Sequence, residues 1–102
     1  MTRTSALVMN ASHSVNLLTF DDVATRCGLH PDLVERLVTL GLIDFAEGYR
    51  DRFRPEVTLR VQRILRLRQD LSISYTAVGL VLDLLERIEV LEARLRHFKG
   101  AT

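Results

Sequence analysis

The sequence predicts an all-α domain with four helices, of which the last is long. Apolar residues recur every three or four positions through residues 19–43, 55–71 and 75–98, which is the period of a helix with one buried face. Glycine, proline and serine residues stand between these segments, where helices begin and end. With 102 residues, 47% of them apolar and 26% charged, the chain has the size and composition of one globular domain, which we assign to residues 17–102.

Residues 1–16 are predicted to form a flexible N-terminal tail before this domain. Their apolar patch, Ala6–Met9, is shorter than the apolar region of a secretory signal, which needs at least about 7 residues. No apolar run reaches the roughly 18–20 residues that span a bilayer. The single cysteine, Cys27, is typical of a reducing compartment. We therefore expect a cytoplasmic protein that does not contact a membrane.

The first two helices are predicted from the residues at their ends. The hydroxyl of Thr19 can cap the first helix, and Gly28 is placed to end it in a left-handed conformation. Pro31 suits the first position of the second helix because its missing N–H would have no helical partner there. Gly41 ends the second helix. Two short helices around a glycine-containing turn predict a helix-turn-helix over residues 19–43.

A short wing is predicted to follow the helix-turn-helix. Residues 44–54 are polar, and Gly48 lies at the expected turn. Phe45, Tyr49 and Phe53 can anchor the segment on the core. A short hairpin or wing fits this pattern better than a helix does.

The third helix is predicted over residues 55–71 and the terminal helix over residues 75–98, with Ser74 as the cap between them. The residues expected to face inward on the third helix are Val57, Val61, Ile64, Leu65, Leu67 and Leu71. Those expected on its outer side are Arg60, Arg63, Arg66 and Arg68. This arginine row is either a phosphate-binding strip or a solvated face paired with nearby acids.

The terminal helix carries a short heptad pattern. Its two apolar positions are occupied by Val81, Ile88 and Leu95, and by Leu84, Leu91 and Phe98. The pattern is open to two interpretations, a coiled-coil seam or a stripe packed on the third helix. We expect the first half of the helix to be core and the second half to be exposed. The predicted seam of a homodimer consists of Ile88, Leu91, Leu95 and Phe98.

The charges of the chain are separated along the sequence. Residues 17–48 carry six acids against two arginines, whereas residues 49–70 carry seven arginines against three acids. A helix-turn-helix that reads DNA places its second helix in the major groove and depends on cations near the phosphates. Here the second helix offers Asp32 and Glu35 against Arg36 alone, so nucleic acid is an unlikely partner. If the chain did bind DNA, the expected contacts are Arg36, Arg50, Arg52 and Arg54.

Residues 18–98 resemble the MerR-like superfamily of winged helix-turn-helix proteins. The resemblance is carried by LTFDDVATRCGLHPDLVERLVTLGLI, by GYR at 48–50, and by a helix pair that ends in a long terminal helix. MerR-type regulators usually have an arginine followed by aromatic residues in the second helix. This chain has Glu35-Arg36-Leu37 there, so an acid takes the place of the main DNA-contacting arginine.

A narrower resemblance covers residues 61–98, which look like the CbpM family of chaperone modulators. It rests on VQR at 61–63, RLR at 66–68 and the continuous helix that follows. The resemblance implies an adaptor that binds the J domain of a DnaJ-like co-chaperone and inhibits its work with DnaK. J domains are similar in presenting a basic helix to DnaK, and an acidic surface would compete for that helix. We therefore hypothesise that the partner-binding face includes Asp21, Asp22, Asp32, Glu35, Asp44 and Glu47.

No set of residues in the sequence predicts catalysis, a cofactor or a metal site. His13, His30 and His97 are far apart in the chain, and His30 is expected to cap the second helix. Cys27 fits a small core position better than a nucleophile. No cysteine pair or histidine pair has metal-ligand spacing, and no glycine-rich phosphate loop is present. We expect a binding protein and not an enzyme.

Overall fold

A computed structural model describes residues 16–101 of the chain. These residues form four helices, α1 (Phe20–Cys27), α2 (Pro31–Thr39), α3 (Val57–Leu71) and α4 (Tyr75–Ala101). The described residues contain no strand, only an isolated antiparallel bridge between Leu18 and Phe53. The predicted tail, apart from Asn16, lies outside the described residues. The all-α, winged helix-turn-helix architecture with a long terminal helix is confirmed.

The ends of α1 and α2 follow the local signals. Thr19 and Asp22 form a reciprocal capping box, in which each side chain accepts the other residue's main-chain N–H. Gly28 adopts the left-handed conformation, with φ of 69°. The Nδ1 atom of His30 accepts the N–H of Asp32 at 3.0 Å and so caps α2. These predicted caps are confirmed because each depends on residues within a few positions of one another.

The wing is a loop held by three aromatic rings and not a hairpin of paired strands. The N–H of Ala46 donates to the carbonyl of Arg52 at 2.8 Å, and Phe53 exchanges two 2.7 Å main-chain hydrogen bonds with Leu18, which precedes α1. The ring of Phe53 lies 5.1 Å from those of Phe20 and Phe45. Two of the predicted anchors are therefore correct.

Tyr49 was predicted to be the third anchor of the wing, and this prediction is wrong because its side chain is 41% exposed. Phe20 completes the aromatic cluster instead, from the first position of α1. The wing is thus fixed to the helix-turn-helix through α1.

The α3 helix begins later than predicted. The N–H groups of Val57 and Thr58 donate to the carbonyls of Arg54 and Pro55, so a tighter turn precedes the first α-helical residue, Val57. Leu71 was predicted to face inward, but it is half exposed because it is the last residue before the chain reverses at Ser72.

The core lies between the helix-turn-helix, α3 and the first half of α4. Its fully buried side chains are Val23, Val34, Leu37, Ile43, Phe53, Val61, Ile64, Val78 and Leu82. The α4 helix reaches Ala101, beyond the predicted end at residue 98, and is roughly 40 Å long. Every residue from Glu86 to Gly100 is exposed, so its outer half projects from the core. The resulting radius of gyration is 17.6 Å, above the about 13 Å of a compact domain of 100 residues.

Within residues 16–101, no helix is both long enough and apolar enough to cross a membrane. The cytoplasmic location stays a prediction.

Candidate functional site

The acidic residues of α1 have different surroundings. Asp21 and Asp22 both lie in its first turn, where the helix dipole favours negative charge. The Asp22 carboxylate accepts the Thr19 N–H at 2.9 Å, and the Thr19 hydrogen bonds lower the pKa of that carboxyl. The nearby charges of Arg26 and Arg52 lower this pKa further. Both residues are exposed, but the Asp22 carboxylate is engaged in the capping box.

The α2 helix presents two exposed acids on one side. Asp32 and Glu35 are three residues apart, which places them on neighbouring turns of the same helical face. The Asp32 carboxylate lies 3.6 Å from Nδ1 of His30. That nitrogen accepts the main-chain N–H of Asp32 and so serves the helix cap. The face of α2 carries two exposed carboxylates, with the exposed Arg36 one turn from Asp32.

The two acids of the wing are separate from those of α2. Asp44 lines a shallow cavity of about 260 Å³ together with Arg54, Glu56 and Arg60, so both signs of charge are present there. Glu47 is exposed in the turn next to Gly48. Among residues 16–101, no three acidic, histidine or cysteine side chains are close enough to hold a metal ion. The six predicted acids therefore form no tight cluster in the described part of the chain, and Asp32 and Glu35 are the pair that shares a helix face.

Three of the four arginines considered for nucleic acid lie in the wing, and the fourth lies on α2. Arg36 is exposed on α2, and Arg50 and Arg54 are exposed in the wing. Arg52 is half-buried, and its Nη1 lies 3.0 Å from both the carboxylate and the carbonyl oxygen of Asp51. Arg52 therefore makes contacts within the wing and is less available to a nucleic acid than the other three arginines.

Arg60 was predicted to lie on the outer side of α3, and this is wrong. Its side chain is half-buried, and its Nε donates to the carbonyl of Leu42 at 2.6 Å. Its Nη1 lies 3.9 Å from Oε1 of Glu86 on α4. No sequence pattern signals this role, because the acceptor is a main-chain oxygen 18 residues away.

The predicted seam is exposed along α4. The exposed fractions are 49% for Ile88, 60% for Leu91, 53% for Leu95 and 68% for Phe98. At 3.6 residues per turn, Leu91 and Phe98 lie opposite the buried Val78 and Leu82, and Ile88 and Leu95 lie on the flank of that side. The expectation that the second half of α4 is exposed is confirmed. The expectation that the first half is core is wrong for Leu80 and Leu84, which are 64% and 57% exposed because they lie on the side away from Val78 and Leu82.

The chain matches the family model described as MerR HTH family regulatory protein over residues 18–100. It belongs to this MerR helix-turn-helix family. No curated protein matches the chain. In this MerR-type domain the helix-turn-helix and wing hold the α2 acids on an exposed face, and α4 carries the exposed apolar stripe on its far side.

The remaining candidate side chains of this MerR-type domain have structural roles or stand alone. The Sγ of Cys27 lies 3.8 Å from the carbonyl oxygen of Thr58, and burial raises the pKa of its thiol, which opposes nucleophilic reactivity. His30 caps α2, and His97 is exposed on the outer half of α4. His13 lies outside the described residues.

Proposed function

We propose that this MerR-type chain is a chaperone modulator. It binds the J domain of a DnaJ-like co-chaperone, inhibits the activity of that co-chaperone with DnaK, and catalyses no reaction itself. The observation that carries the proposal is the exposed pair Asp32 and Glu35 on α2, the helix that a DNA-binding relative would place in the major groove. The resemblance of residues 61–98 to CbpM supplies the class of partner.

The electrostatics of α2 favour a cationic protein over DNA. Two exposed carboxylates on this helix repel phosphate and outnumber its one exposed arginine, Arg36. The same charges attract a basic helix and speed its encounter with the domain. Asp21, exposed in the first turn of α1, adds negative charge to the helix-turn-helix.

The contribution of α2 is tested by reversing its charge. We expect Asp32→Lys with Glu35→Lys to weaken binding of a J domain by about tenfold or more, because attraction to the basic helix becomes repulsion. The measurement is isothermal titration of the J domain into the full chain. A matched control is Asp70→Lys with Glu89→Lys, which changes net charge equally at two exposed residues outside α2. Equal affinities of the two variants would exclude α2 as the binding face.

We further propose that the chain forms a homodimer through the α4 seam. An exposed stripe of Ile88, Leu91, Leu95 and Phe98 on a projecting helix is unfavourable in water, and a second copy supplies the same stripe in complementary heptad positions. The seam belongs to the outer half of α4 and the acidic pair to α2, so the two proposed surfaces share no residue.

The alternative function is a DNA-binding transcriptional regulator. It is favoured by the family match and by the exposed side chains of Arg36, Arg50 and Arg54. A regulator would bind duplex DNA with an affinity that falls steeply with salt. Fluorescence anisotropy with an operator-length duplex at two salt concentrations separates the two functions, because a J-domain adaptor stays unbound at both.

A further inference from the structure

Arg60 connects three parts of the fold through one guanidinium group. It belongs to α3, it donates from Nε to the Leu42 carbonyl at 2.6 Å, and its Nη1 lies 3.9 Å from Glu86 on α4. Leu42 follows α2 and Gly41, so the hydrogen bond reaches the end of the helix-turn-helix. A side chain that joins three elements restricts how they are oriented.

The α4 helix also passes close to Leu42. A Cβ atom added at Gly79 would lie 3.1 Å from Cδ2 of Leu42, a side chain that is itself buried. Glu86 follows Gly79 by seven residues, about two helical turns, and so lies on nearly the same side of α4. The helix therefore meets the Leu42 side chain at Gly79 and the Arg60 guanidinium two turns later.

The Arg60–Glu86 pair lies where α4 leaves the core. Leu82 is buried and Leu85 is half-buried, whereas every residue from 86 to 100 is exposed. The outer half continues the same helix without a break, from Tyr75 to Ala101. Its direction is therefore set by the contacts that fix α4 up to residue 86.

We propose that Arg60 is a positioning residue that holds the outer half of α4, residues 86–100, at a fixed angle to the helix-turn-helix. It thereby sets the direction of the apolar seam relative to the acidic face of α2. The relation to the α2 face rests on the proposed function, whereas the fixed angle of α4 does not.

The two contacts of Arg60 differ in strength. The bond to Leu42 is short, partly buried and has a charged donor, so it is the stronger of the two. The contact with Glu86 is long, and the two side chains are 38% and 62% exposed, so water and salt weaken it. Lysine has a single amine and no planar fork, so it cannot hold both oxygens as arginine does.

The direction of α4 can be measured by amide residual dipolar couplings on the full chain. In the wild type, the couplings of residues 86–98 should fit the same alignment tensor as those of α1–α3. In Arg60→Met, which keeps the apolar stem but loses both contacts, the couplings of residues 86–98 should no longer fit that tensor. Glu86→Ala, which removes the contact of Arg60 on α4, should release residues 86–98 in the same way. Arg63→Met, at an exposed position of α3, should behave as the wild type.

Two results would overturn the proposal. One is a wild type in which residues 86–98 do not share the tensor of α1–α3. The other is a folded Arg60→Met variant in which they still do. If Arg60→Met does not fold, Arg60→Lys takes its place in the same comparison, and an unchanged tensor for that variant contradicts the proposal equally.

A parallel titration with a J domain separates this proposal from the proposed function. Absence of J-domain binding by the wild type would refute the proposed function and leave the dipolar couplings to decide the role of Arg60. Tight J-domain binding together with an unchanged α4 direction in Arg60→Met would support the proposed function and refute the positioning role.

Discussion

At the scale of single residues, Asp22 shows how an acid of the helix-turn-helix can be structural and not functional. Its carboxylate completes the capping box with Thr19, and Arg26 and Arg52 lie close enough to favour its charge. Asp21 occupies the same turn and is also exposed, but it makes no capping box. The spacing Thr19 to Asp22 is the local pattern that separates the two acids, and the charges of Arg26 and Arg52 add to it.

The pKa of Asp22 predicts a pH dependence of stability. Because the folded state lowers this pKa below its ordinary value of 3.8, the charged form stabilises the fold above that value. This stabilisation is lost as the pH falls through the folded pKa. We expect Asp22→Asn to have a lower thermal midpoint than the wild type at pH 7, and the difference to shrink below pH 3.8.

The control for this pH dependence is Asp21→Asn, which leaves the capping box intact. Thermal melts monitored by circular dichroism between pH 7 and pH 2.5 provide the measurement. If the thermal midpoints of Asp22→Asn and the wild type differ by the same amount at every pH in this range, the role of the carboxylate charge is contradicted.

Among residues 16–101, Ser72 is the one residue other than glycine that has a positive φ, 54°, and it lies at the end of α3. A left-handed conformation costs a residue with a Cβ about 1–2 kcal/mol, whereas glycine adopts it freely. We expect Ser72→Gly to raise the free energy of unfolding by roughly 0.5–1 kcal/mol, since the more flexible unfolded chain offsets part of the gain. Urea denaturation measures the change. Ser72→Ala keeps the Cβ and should bring no gain, and a Ser72→Gly variant less stable than the wild type would refute the strain.

At the scale of elements, α4 has apolar residues on two opposite sides in its first half. Val78 and Leu82 face the core, whereas Leu80 and Leu84 are more than half exposed on the other side. In the outer half, the exposed apolar side continues as the seam, and no apolar residue is buried. The heptad spacing predicted this stripe, because helical periodicity places its members on one face. Spacing could not predict which apolar side contacts the core, since both sides satisfy it.

The seam proposal predicts the effect of one charge on the stripe. We expect Leu91→Glu to convert the dimer into a monomer, because the carboxylate would be buried without a partner at the centre of the seam. Sedimentation equilibrium at tens of micromolar protein measures the association state. Leu59→Glu is the matched control, since Leu59 is 70% exposed on α3 and lies outside the seam. A monomeric wild type, or dimers of both variants, would refute the seam.

Among the other elements, the structure of the helix-turn-helix could be predicted from the sequence more completely than that of the wing. Caps at Thr19 and His30 act over two or three residues and are visible as local patterns. The wing depends on Leu18, which pairs with Phe53 from 35 positions earlier. Arg60 likewise donates to the carbonyl oxygen of Leu42, an acceptor that every residue type has, so the sequence does not indicate it. Long-range partners of this kind are set by tertiary packing and not by the local sequence.

At the scale of the whole molecule, the two candidate surfaces lie on different parts of the fold. The acidic face belongs to α2 within the globular part, and the apolar seam belongs to the projecting half of α4. One protein can therefore associate with itself and bind a partner without the two surfaces overlapping. The charge separation along the sequence indicated the first surface, and the heptad indicated the second.

The central claim is that the acidic α2 face inhibits a co-chaperone by occupying its J domain. The most direct test is the rate of ATP hydrolysis by DnaK in the presence of a DnaJ-like co-chaperone and increasing amounts of this chain. We predict that the wild type lowers the stimulated rate towards the rate of DnaK alone, and that the variant with Asp32→Lys and Glu35→Lys does not. A stimulated rate that stays unchanged at a large excess of the wild-type chain would contradict the claim.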